Sequence, residues 1–387
     1  MGNAAINFIK KHHSIYTCYY WVMSAFVNVL KLFAKPDDKL ILFVVYGGKF
    51  YSDSPKCIYE SMLKDDRYKD YRLVWAFRNP KDFPHVADKI KIDTIKYYLT
   101  ALKARCWITN ESVTRALKFK GKNTFYFCTT HTPLPKLGAK DDVKGKPVFT
   151  SISRIKYDCT CAQSEAEKKI QLHRFELEDG QVHVVGYPKN DIIANHQQAD
   201  VDRIREKLHI RDDRKLILYA PTFREMGQTS IPFDLRKWEE SLKDKYILLF
   251  RAHHTVASQM DFSDYKDFVI DVSTYPDNTE LLIVSDILIS DYSGIFFEFG
   301  VQEKPMYCFA YDYDDYIKYR GLSVDVPKEL PGGKMNEREF LDYFVSTDKQ
   351  SVMKAVNVFR SKYITEYGHA TSKCLDIIHA HIAKAQS

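Results

Sequence analysis

Short apolar runs rich in β-branched and aromatic residues alternate with amphipathic stretches along most of this chain. The first series predicts strands at Leu40–Tyr46, Tyr71–Phe77, Arg105–Thr109, Thr124–Cys128, Cys159–Ala162 and Val182–Val185. The second series predicts strands at Lys215–Ala220, Tyr246–Phe250, Phe268–Ile270, Asp286–Ile289 and Pro305–Phe309. Amphipathic segments such as Ser54–Lys64 and Thr279–Val284 predict helices between them. This alternation is typical of βαβ units, so we predict an α/β fold with parallel sheets.

The alternation is interrupted once, near residues 190–212, by a polar and charged segment without a predicted strand. The chain has 387 residues, enough for two domains at roughly 150 residues each. We predict domains over residues 37–195 and 196–345, preceded by a separate segment over 1–36 and followed by helices over 346–387. Two such halves would leave a cleft lined by residues that directly follow strands, because open α/β sheets bind ligands there.

The N-terminal segment has an uncharged stretch over residues 14–30, with lysines on both sides. At helical spacing its polar stripe consists of Lys10, Ser14, Thr17, Ser24, Asn28, Lys31 and Lys35, with Lys11 nearby. Its other face holds Ile9, Tyr16, Tyr19, Tyr20, Met23, Phe26, Val27, Leu30 and Phe33. Aromatic residues flanked by lysines favour an amphipathic helix in the headgroup plane of a membrane. A helix packed on the body and a short membrane span are the alternatives.

Composition excludes several other classes of protein. Hydrophobic residues make up 45% of the chain, too many for a disordered protein. The net charge is 57 − 51 = +6, which is mild; it does not indicate nucleic-acid binding but is compatible with an anionic surface or substrate. The eight cysteines include no Cys-x-x-Cys pair, which favours buried, reduced thiols over a zinc site.

Polar residues whose side chains could take part in catalysis or ligand binding follow the predicted strands. His131 follows the run NTFYFC, in a loop with two prolines, where an active-site base would be placed. Thr222 and Arg224 follow LILYA and offer a hydroxyl and a guanidinium to phosphate oxygens. Arg251 and His253 follow YILLF and alternate along the chain, so they can share one face. A structural histidine and a capped surface turn are the simpler interpretations of the first two segments.

A fourth segment after a strand contains Ser290, Asp291, Ser293 and Gly294. A strand, a small polar turn and a helix start direct backbone N–H groups outward, which favours phosphate binding; ordinary helix capping is the alternative. The nearby pair of acidic residues in Asp312–Asp314 has the spacing of a metal-binding Asp-x-Asp, but it is a short pattern in an acidic, tyrosine-rich loop. We therefore predict no metal ligand, and an anion site for a diphosphate in the second half, with a base in the first.

The order of these motifs resembles one known family. The segments are HTPLPKLG, GYPKND, LYAPTFRE, RAHH, DVSTYPDNTELL, SDYSGIFFEF, and Arg-Gly followed by Pro-Gly-Gly, within residues 40–335. In this order they are similar to those of the CDP-glycerol glycerophosphotransferases, which include the teichoic acid primases and polymerases of Gram-positive bacteria and related capsule enzymes. The resemblance implies a GT-B-like fold, with two Rossmann-like domains facing across a cleft, and transfer of a polyol phosphate from a CDP-activated donor.

The resemblance also implies roles for individual residues. His131 and His253 take the two catalytic positions. The donor and its phosphates are assigned to Thr222, Arg224, Arg251, Ser290, Asp291, Ser293 and Gly294. A further donor-site loop is assigned to Asp277, Glu298 and Arg320. The sequence departs from the family pattern around His131, where Thr130 replaces a tryptophan, a glycine is deleted and Pro135 is new; Gly294 replaces a serine and Lys189 a frequent arginine.

The implied substrates are CDP-glycerol or CDP-ribitol as donor and a hydroxyl of a lipid-linked saccharide or growing polymer as acceptor. The resemblance implies no tightly bound cofactor and no nucleic-acid partner, and it leaves divalent-metal dependence and oligomeric state open. It predicts a peripheral protein on the cytoplasmic face of the membrane. Two alternatives remain from the sequence: a GT-B glycosyltransferase or epimerase that uses a nucleotide sugar, and a non-catalytic membrane scaffold.

Overall fold

The structure is a computed structural model that describes residues 13–115, 117–131, 134, 156–222, 224, 231–252, 260–319 and 321–383. The predictions for Lys10, Lys11, His253 and Arg320 lie outside the described residues, as does nearly all of the loop after His131. The described chain divides into two compact units. The first comprises residues up to 131, 156–189 and the segment from 369 onward, and the second comprises residues 190–368.

The first unit contains a parallel sheet with seven described strands. They are β1 (Asp37–Val44), β2 (Arg72–Phe77), β3 (Lys89–Lys91), β4 (Ala104–Thr109), β5 (Phe125–Cys128), β6 (Cys159–Ala162) and β7 (Val182–Val184), in the order β3-β2-β1-β4-β5-β6-β7. Its helices are α1 (His13–Leu30), α2 (Asp53–Met62), α3 (Ile95–Lys103) and α4 (Glu165–Phe175); α5 (Pro188–Ala194) crosses into the second unit. Chain order reverses between β1 and β4, so this is where a ligand site is expected.

The second unit contains a parallel sheet with six described strands. They are β8 (Lys215–Tyr219), β9 (Tyr246–Phe250), β10 (Val269–Asp271), β11 (Ile287–Ser290), β12 (Met306–Phe309) and β13 (Gly332–Gly333), in the order β10-β9-β8-β11-β12-β13. The helices that follow α5 in chain order are α6 (Gln198–Lys207), α7 (Leu235–Leu242), α8 (Asn278–Val284), α9 (Ile295–Phe299), α10 (Tyr313–Tyr319), α11 (Val326–Glu329), α12 (Glu337–Ser346), α13 (Lys349–Tyr363) and α14 (Ala370–Ala383). The last of these, α14, packs against α2 and belongs to the first unit.

Both faces of the first sheet are covered by apolar side chains. Trp75 stacks on Phe43 and lies in a cluster with residues of α2 and α14, whereas Trp107 lies in a second cluster with residues of α1 and α3. Strands buried on both faces appear in the sequence as continuous apolar runs. This explains why every predicted strand overlaps an observed one, and it confirms the predicted α/β fold with parallel sheets.

Helix α1 packs on the first unit through Tyr16, Tyr20 and Val27, which are buried. Ser24, from the predicted polar stripe, is also buried and accepts a hydrogen bond from the Lys118 N–H at 3.0 Å. The side chains turned to solvent are mostly apolar: Ile15, Trp21, Val22, Phe26 and Val29, followed by Leu32 and Phe33. The predicted assignment of faces is therefore wrong: Tyr16, Tyr20 and Val27, which were predicted to face a membrane, pack on the body. Ser24 of the predicted polar stripe is buried with them, because a backbone partner on the body satisfies its hydroxyl. No helix in the described part of the chain is both long and apolar enough to cross a membrane.

Cysteine chemistry in this protein is that of free thiols. All eight cysteines are free, and six of them are buried. Burial raises the pKa of the Cys106 and Cys159 thiols well above the ordinary range, which keeps them protonated and unreactive. This agrees with the prediction of buried, reduced thiols.

Candidate active site

In the first unit, His131 lies at the carboxyl edge of the sheet, three residues after β5. Its Nδ1 is 3.2 Å from the carbonyl oxygen of Asn110, which follows β4. A carbonyl oxygen can only accept, so Nδ1 carries the hydrogen and donates it. In the neutral ring Nε2 then keeps its lone pair, which is the form a general base requires. Neighbouring strand ends thus place His131 and select its tautomer.

Asn110, whose backbone carbonyl accepts from His131, is itself fixed through its own side chain. Asn110 is 1% exposed. Its Oδ1 accepts from the backbone N–H of Tyr46 at 3.0 Å, and its Nδ2 donates to Oδ2 of Asp53 at 2.8 Å. The ring of Tyr46 also meets the ring of His131 edge to face, with centroids 5.5 Å apart. The ends of β1, β4 and β5 therefore converge on one imidazole.

Asp53, the first residue of α2, has a carboxylate that is only 4% exposed. Its Oδ2 also accepts from the Tyr46 hydroxyl at 2.7 Å, and its Oδ1 accepts from the Ser54 N–H at 2.6 Å and lies 3.9 Å from Nζ of Lys189. Burial acts to raise the pKa of Asp53, but the Lys189 charge and these hydrogen bonds outweigh burial and lower the pKa below its ordinary value. The residue is therefore an anion at neutral pH.

A second buried network holds the residue before His131. Thr130 is 6% exposed and has φ +55°, a left-handed conformation that is unusual for a β-branched residue. Its hydroxyl is 3.4 Å from the Tyr187 hydroxyl, which donates to the buried Glu167 carboxylate at 2.6 Å. Burial raises the pKa of Glu167 despite hydrogen bonds that act to lower it. Thr130 is thus held in its turn by hydrogen bonds to the buried Tyr187 and, through it, Glu167.

In the second unit, Thr222 and Asp291 meet at the ends of β8 and β11. Asp291 Oδ1 accepts from the Thr222 N–H at 2.8 Å. The Thr222 Oγ1 atom is buried and has no hydrogen-bond partner among the described residues. A buried hydroxyl without a partner is costly unless a ligand or water satisfies it. Ser290 differs, because its hydroxyl donates to the Ala220 carbonyl at 2.6 Å.

Arg224 is held by two carboxylates and lies over aromatic rings. Its Nε and Nη2 contact the two carboxylate oxygens of Asp312 at 2.8 and 2.9 Å, and Nη2 also donates to Asp291 at 2.8 Å. The guanidinium lies over aromatic rings, with centroid distances of 5.1 Å for Tyr292 and 5.5 Å for Tyr311. Burial acts to lower the pKa of Arg224, but the two carboxylates raise it above its ordinary range. This guanidinium fastens the loop after β8 to those after β11 and β12.

The acidic pair next to this cluster is also occupied. Asp312 accepts from Arg224 and from the Tyr292 hydroxyl at 2.9 Å, and Asp314 pairs with Lys334. Among the described residues no group of three His, Cys, Asp or Glu side chains is arranged to hold a metal ion. The partners of these carboxylates in the described structure are therefore arginine, lysine and tyrosine groups.

Arg251 holds the loop after β10. Its Nη1 donates to the carbonyl oxygens of Val272 and Tyr275 at 2.9 and 3.0 Å. Burial lowers the pKa of Arg251, partly offset by the charge of Asp277. Asp277 itself caps α8 by accepting from the Thr279 N–H at 2.9 Å. Arg251 and Asp277 thus lie beside the same loop.

The turn after β11 is a helix start. The Ser293 hydroxyl accepts from the Ile295 N–H at 3.3 Å. Gly294 has helical dihedral angles, and α9 that follows is five residues long. Glu298 lies on α9 and is partly buried. The capping interpretation therefore accounts for Ser293 in this structure.

Tyr46, Asp53 and Asn110 are not among the site residues predicted from the sequence, and Lys189 appears there only as a departure from the family pattern. One signal was available: Asn110 directly follows β4 and Tyr46 lies two residues after β1, the two strands between which chain order reverses. The rule that polar residues follow strands, used for β5, therefore also indicates Asn110 after β4, whereas Tyr46 is the last residue of the strand predicted at Leu40–Tyr46.

Two solved structures are similar to this chain in fold. The solved structure of UDP-GlcNAc 2-epimerase from Neisseria meningitidis is similar over 88% of this chain and 99% of its own, with a TM-score of 0.55 at 13% identity, which shows the fold alone. The structure of the wall teichoic acid polymerase TagF is similar over 99% of both chains, with a TM-score of 0.83 at 30% identity. The fold is thus an α/β fold of the GT-B-like class.

Two curated relatives and one family model agree with this. The model for CDP-glycerol:poly(glycerophosphate) glycerophosphotransferase matches residues 26–380. The teichoic acid glycerol-phosphate transferase of Staphylococcus aureus is 31% identical over 96% of this chain and 99% of its own length. The teichoic acid poly(glycerol phosphate) polymerase of Staphylococcus epidermidis is 33% identical over 89% of this chain, which spans only 51% of that protein. The chain belongs to the CDP-glycerol:poly(glycerophosphate) glycerophosphotransferase family, as the sequence predicted.

Proposed function

We propose that this protein transfers glycerol phosphate from CDP-glycerol to a hydroxyl of a lipid-linked saccharide or growing polymer and releases CMP, in the synthesis of teichoic acid or a related polymer. The observation that carries the proposal is His131, whose Nδ1 is held by the Asn110 carbonyl so that Nε2 is left to accept a proton. Family membership supplies the donor class.

In the proposed reaction, Nε2 of His131 takes the proton of the acceptor hydroxyl. The acceptor oxygen then forms a bond to the β-phosphorus of CDP-glycerol, and the bond between that phosphorus and the oxygen that bridges to the α-phosphate breaks. CMP leaves with the electron pair of that bond. Catalysis of this kind rests on positioning and on electrostatic stabilisation of the charge that develops on the phosphoryl oxygens.

We assign the donor to the second unit. To its phosphates we assign the unsatisfied hydroxyl of Thr222 and, by resemblance, the guanidinium of Arg251, whose Nη1 already donates to the Val272 and Tyr275 carbonyls. His253, Arg320 and the donor-loop residues Asp277 and Glu298 remain assigned by resemblance. The side chains of Arg224, Ser290, Asp291 and Ser293 already bond to protein groups, so we assign them to holding the loops after β8 and β11. Gly294 stays assigned to the donor by resemblance.

A panel of donors tests this proposal against its rivals. The purified protein is given CDP-glycerol, CDP-ribitol or UDP-GlcNAc with a lipid-linked saccharide acceptor, and released nucleotide is measured. We expect CMP from CDP-glycerol at least tenfold faster than any nucleotide from the other donors. Faster CMP release from CDP-ribitol would identify ribitol phosphate as the transferred group. UMP release from UDP-GlcNAc would favour the nucleotide-sugar alternative. Absence of nucleotide binding would favour the scaffold.

The exposed apolar face of α1 supports a peripheral location on the cytoplasmic membrane surface. Trp21, Val22 and Val29 are each at least 55% exposed, and Lys31 and Lys35 follow the helix. An apolar face with adjacent lysines binds anionic interfaces by burying apolar area and by charge attraction. The body-facing side of α1 is already packed, so this solvent-facing side is the one available to lipid.

Replacing Val22 and Val29 together with serine is expected to weaken binding to vesicles of phosphatidylglycerol and phosphatidylcholine at least tenfold. The reason is that two side chains that become buried in lipid on binding no longer contribute about 1.5–3 kcal/mol each. Vesicle co-sedimentation measures the effect. The matched control is Val358→Ser, since Val358 is also an exposed helical valine, in the second unit. Equal binding by wild type and the double variant would refute the assignment of this face.

A further inference from the structure

We propose that Asp53 is a positioning residue for catalysis, which acts through Asn110 and Tyr46 to keep His131 in its base-competent tautomer and orientation. The inference rests on the proposed function, in which His131 is the base. Asp53 combines two costly features: a carboxylate that is 4% exposed and a backbone with φ +64°. Strained, buried residues persist where the surrounding structure requires them, and such residues cluster at functional sites.

The connection to His131 runs by two short routes. In the first, Oδ2 of Asp53 accepts from Asn110 Nδ2 at 2.8 Å, and the carbonyl of the same Asn110 lies 3.2 Å from Nδ1 of His131. In the second, Oδ2 accepts from the Tyr46 hydroxyl at 2.7 Å, and the Tyr46 ring contacts the imidazole edge to face. The routes are joined by the bond from the Tyr46 N–H to Asn110 Oδ1. The orientation of the base therefore depends on one carboxylate.

The chemistry of the partners explains why this position needs a carboxylate. The groups that the structure shows bonded to or paired with the Asp53 carboxylate are all donors: the Tyr46 hydroxyl and Asn110 amide at Oδ2, and the Ser54 N–H and the Lys189 ammonium at Oδ1. A carboxylate has acceptor sites for all of them. An asparagine has one acceptor oxygen, and its amide group would face either the Tyr46 and Asn110 donors or the Ser54 and Lys189 donors. A helix cap alone would not require this arrangement, since serine or asparagine caps a helix equally well.

The test is Asp53→Asn. Groups that orient metal-bound histidines typically contribute about 10- to 100-fold to activity. By analogy we expect CMP release at saturating CDP-glycerol to fall about 10- to 100-fold, with donor affinity unchanged within twofold. In a His131→Ala background the same substitution should change the residual rate by less than twofold, because its effect passes through the missing ring. A full additional loss in that background would overturn the proposal, as would normal turnover in the single variant.

The matched control is Asp93→Asn. Asp93 also has a positive φ, +60°, lies at the carboxyl edge of the same sheet and pairs with an arginine, Arg115. It is not part of the network around His131, so turnover should stay within twofold of wild type. A loss equal to that of Asp53→Asn would show that any disturbed carboxylate at this edge has the same effect, and would overturn the assignment.

Two further measurements keep the inference testable if Asp53→Asn folds poorly or no turnover is found. Tyr46→Phe removes one bond to Asp53 but keeps the ring against His131, and should lower turnover about three- to tenfold. In protein labelled with ¹⁵N-histidine, the wild-type His131 signals, identified by their loss in His131→Ala, should show the Nδ1–H tautomer. In Tyr46→Phe or Asp53→Asn they should show a mixture. This readout needs no substrate, so an unchanged tautomer overturns the inference independently of the proposed function.

Discussion

Replacing His131 with alanine is expected to lower CMP release from CDP-glycerol by two to four orders of magnitude. The size follows from the contribution of a positioned general base. The imidazole is the group whose tautomer is selected by the Asn110 carbonyl, and alanine leaves no group there to accept the proton of the acceptor hydroxyl. The measurement is the rate of CMP formation with saturating donor and a lipid-linked acceptor.

Donor binding separates loss of the base from loss of the fold. Calorimetric titration with CDP-glycerol should give the same affinity for His131→Ala and wild type, because the donor is assigned to the second unit. His173→Ala is the matched control, since His173 is an exposed histidine on α4 of the same unit, and it should keep full activity. Turnover of His131→Ala within threefold of wild type would contradict the base assignment.

Replacing Arg224 with methionine is expected to destabilise the second unit by about 3–5 kcal/mol, the usual cost of removing one partner of a buried ion pair. The side chains of Arg224 and Asp291 are 11% and 2% exposed, and Asp312 is the second carboxylate that would lose its partner. Hydrogen exchange of peptides from β8 and β11 measures the change. Arg224→Lys should recover part of it, because lysine keeps the charge but cannot make the bidentate contact.

Arg338→Met provides the control for this experiment. Arg338 is an exposed arginine on α12, 93% accessible and 3.9 Å from Asp342, and such surface pairs contribute little to stability. Its replacement should leave exchange in β8 and β11 unchanged. The contrary result is an Arg224→Met variant that keeps wild-type protection from hydrogen exchange in β8 and β11 but loses affinity for the donor. That result would show that Arg224 binds phosphate, as the resemblance implied, and does not stabilise the loops.

The α/β fold could be predicted because strands buried on both faces of a parallel sheet appear in the sequence as continuous apolar runs. Two strands escaped prediction for a physical reason. β3 is only three residues long and begins and ends with lysine. β13 consists of Gly332 and Gly333, which have positive φ, and a Cβ on Gly332 would lie 2.3 Å from the Cys308 carbonyl oxygen. Close backbone approach, rather than apolar side chains, places that strand beside β12.

The position of His131 could be predicted because one local rule, polar residues after strands, was enough. Its supports could not be predicted in the same way, because they depend on contacts between distant parts of the chain. Asp53 and Asn110 are 57 residues apart and meet only because β4 lies beside β1 in the sheet. Arg224 and Asp312 are 88 residues apart and bond to each other in the structure. From the sequence, Arg224 was predicted to bind phosphate, and Asp312 was considered only as part of a metal-binding pattern.

The proposed function predicts that glycerol phosphate is transferred to an acceptor hydroxyl. Mass spectrometry of the acceptor after incubation with CDP-glycerol tests it most directly, with His131→Ala alongside. We predict that wild type adds one or more glycerol phosphate units to the lipid-linked saccharide, with one CMP released per unit, and that the variant adds none in the same time. CMP release without a gain in acceptor mass, or acceptor modified only when a nucleotide sugar is supplied, would contradict the claim.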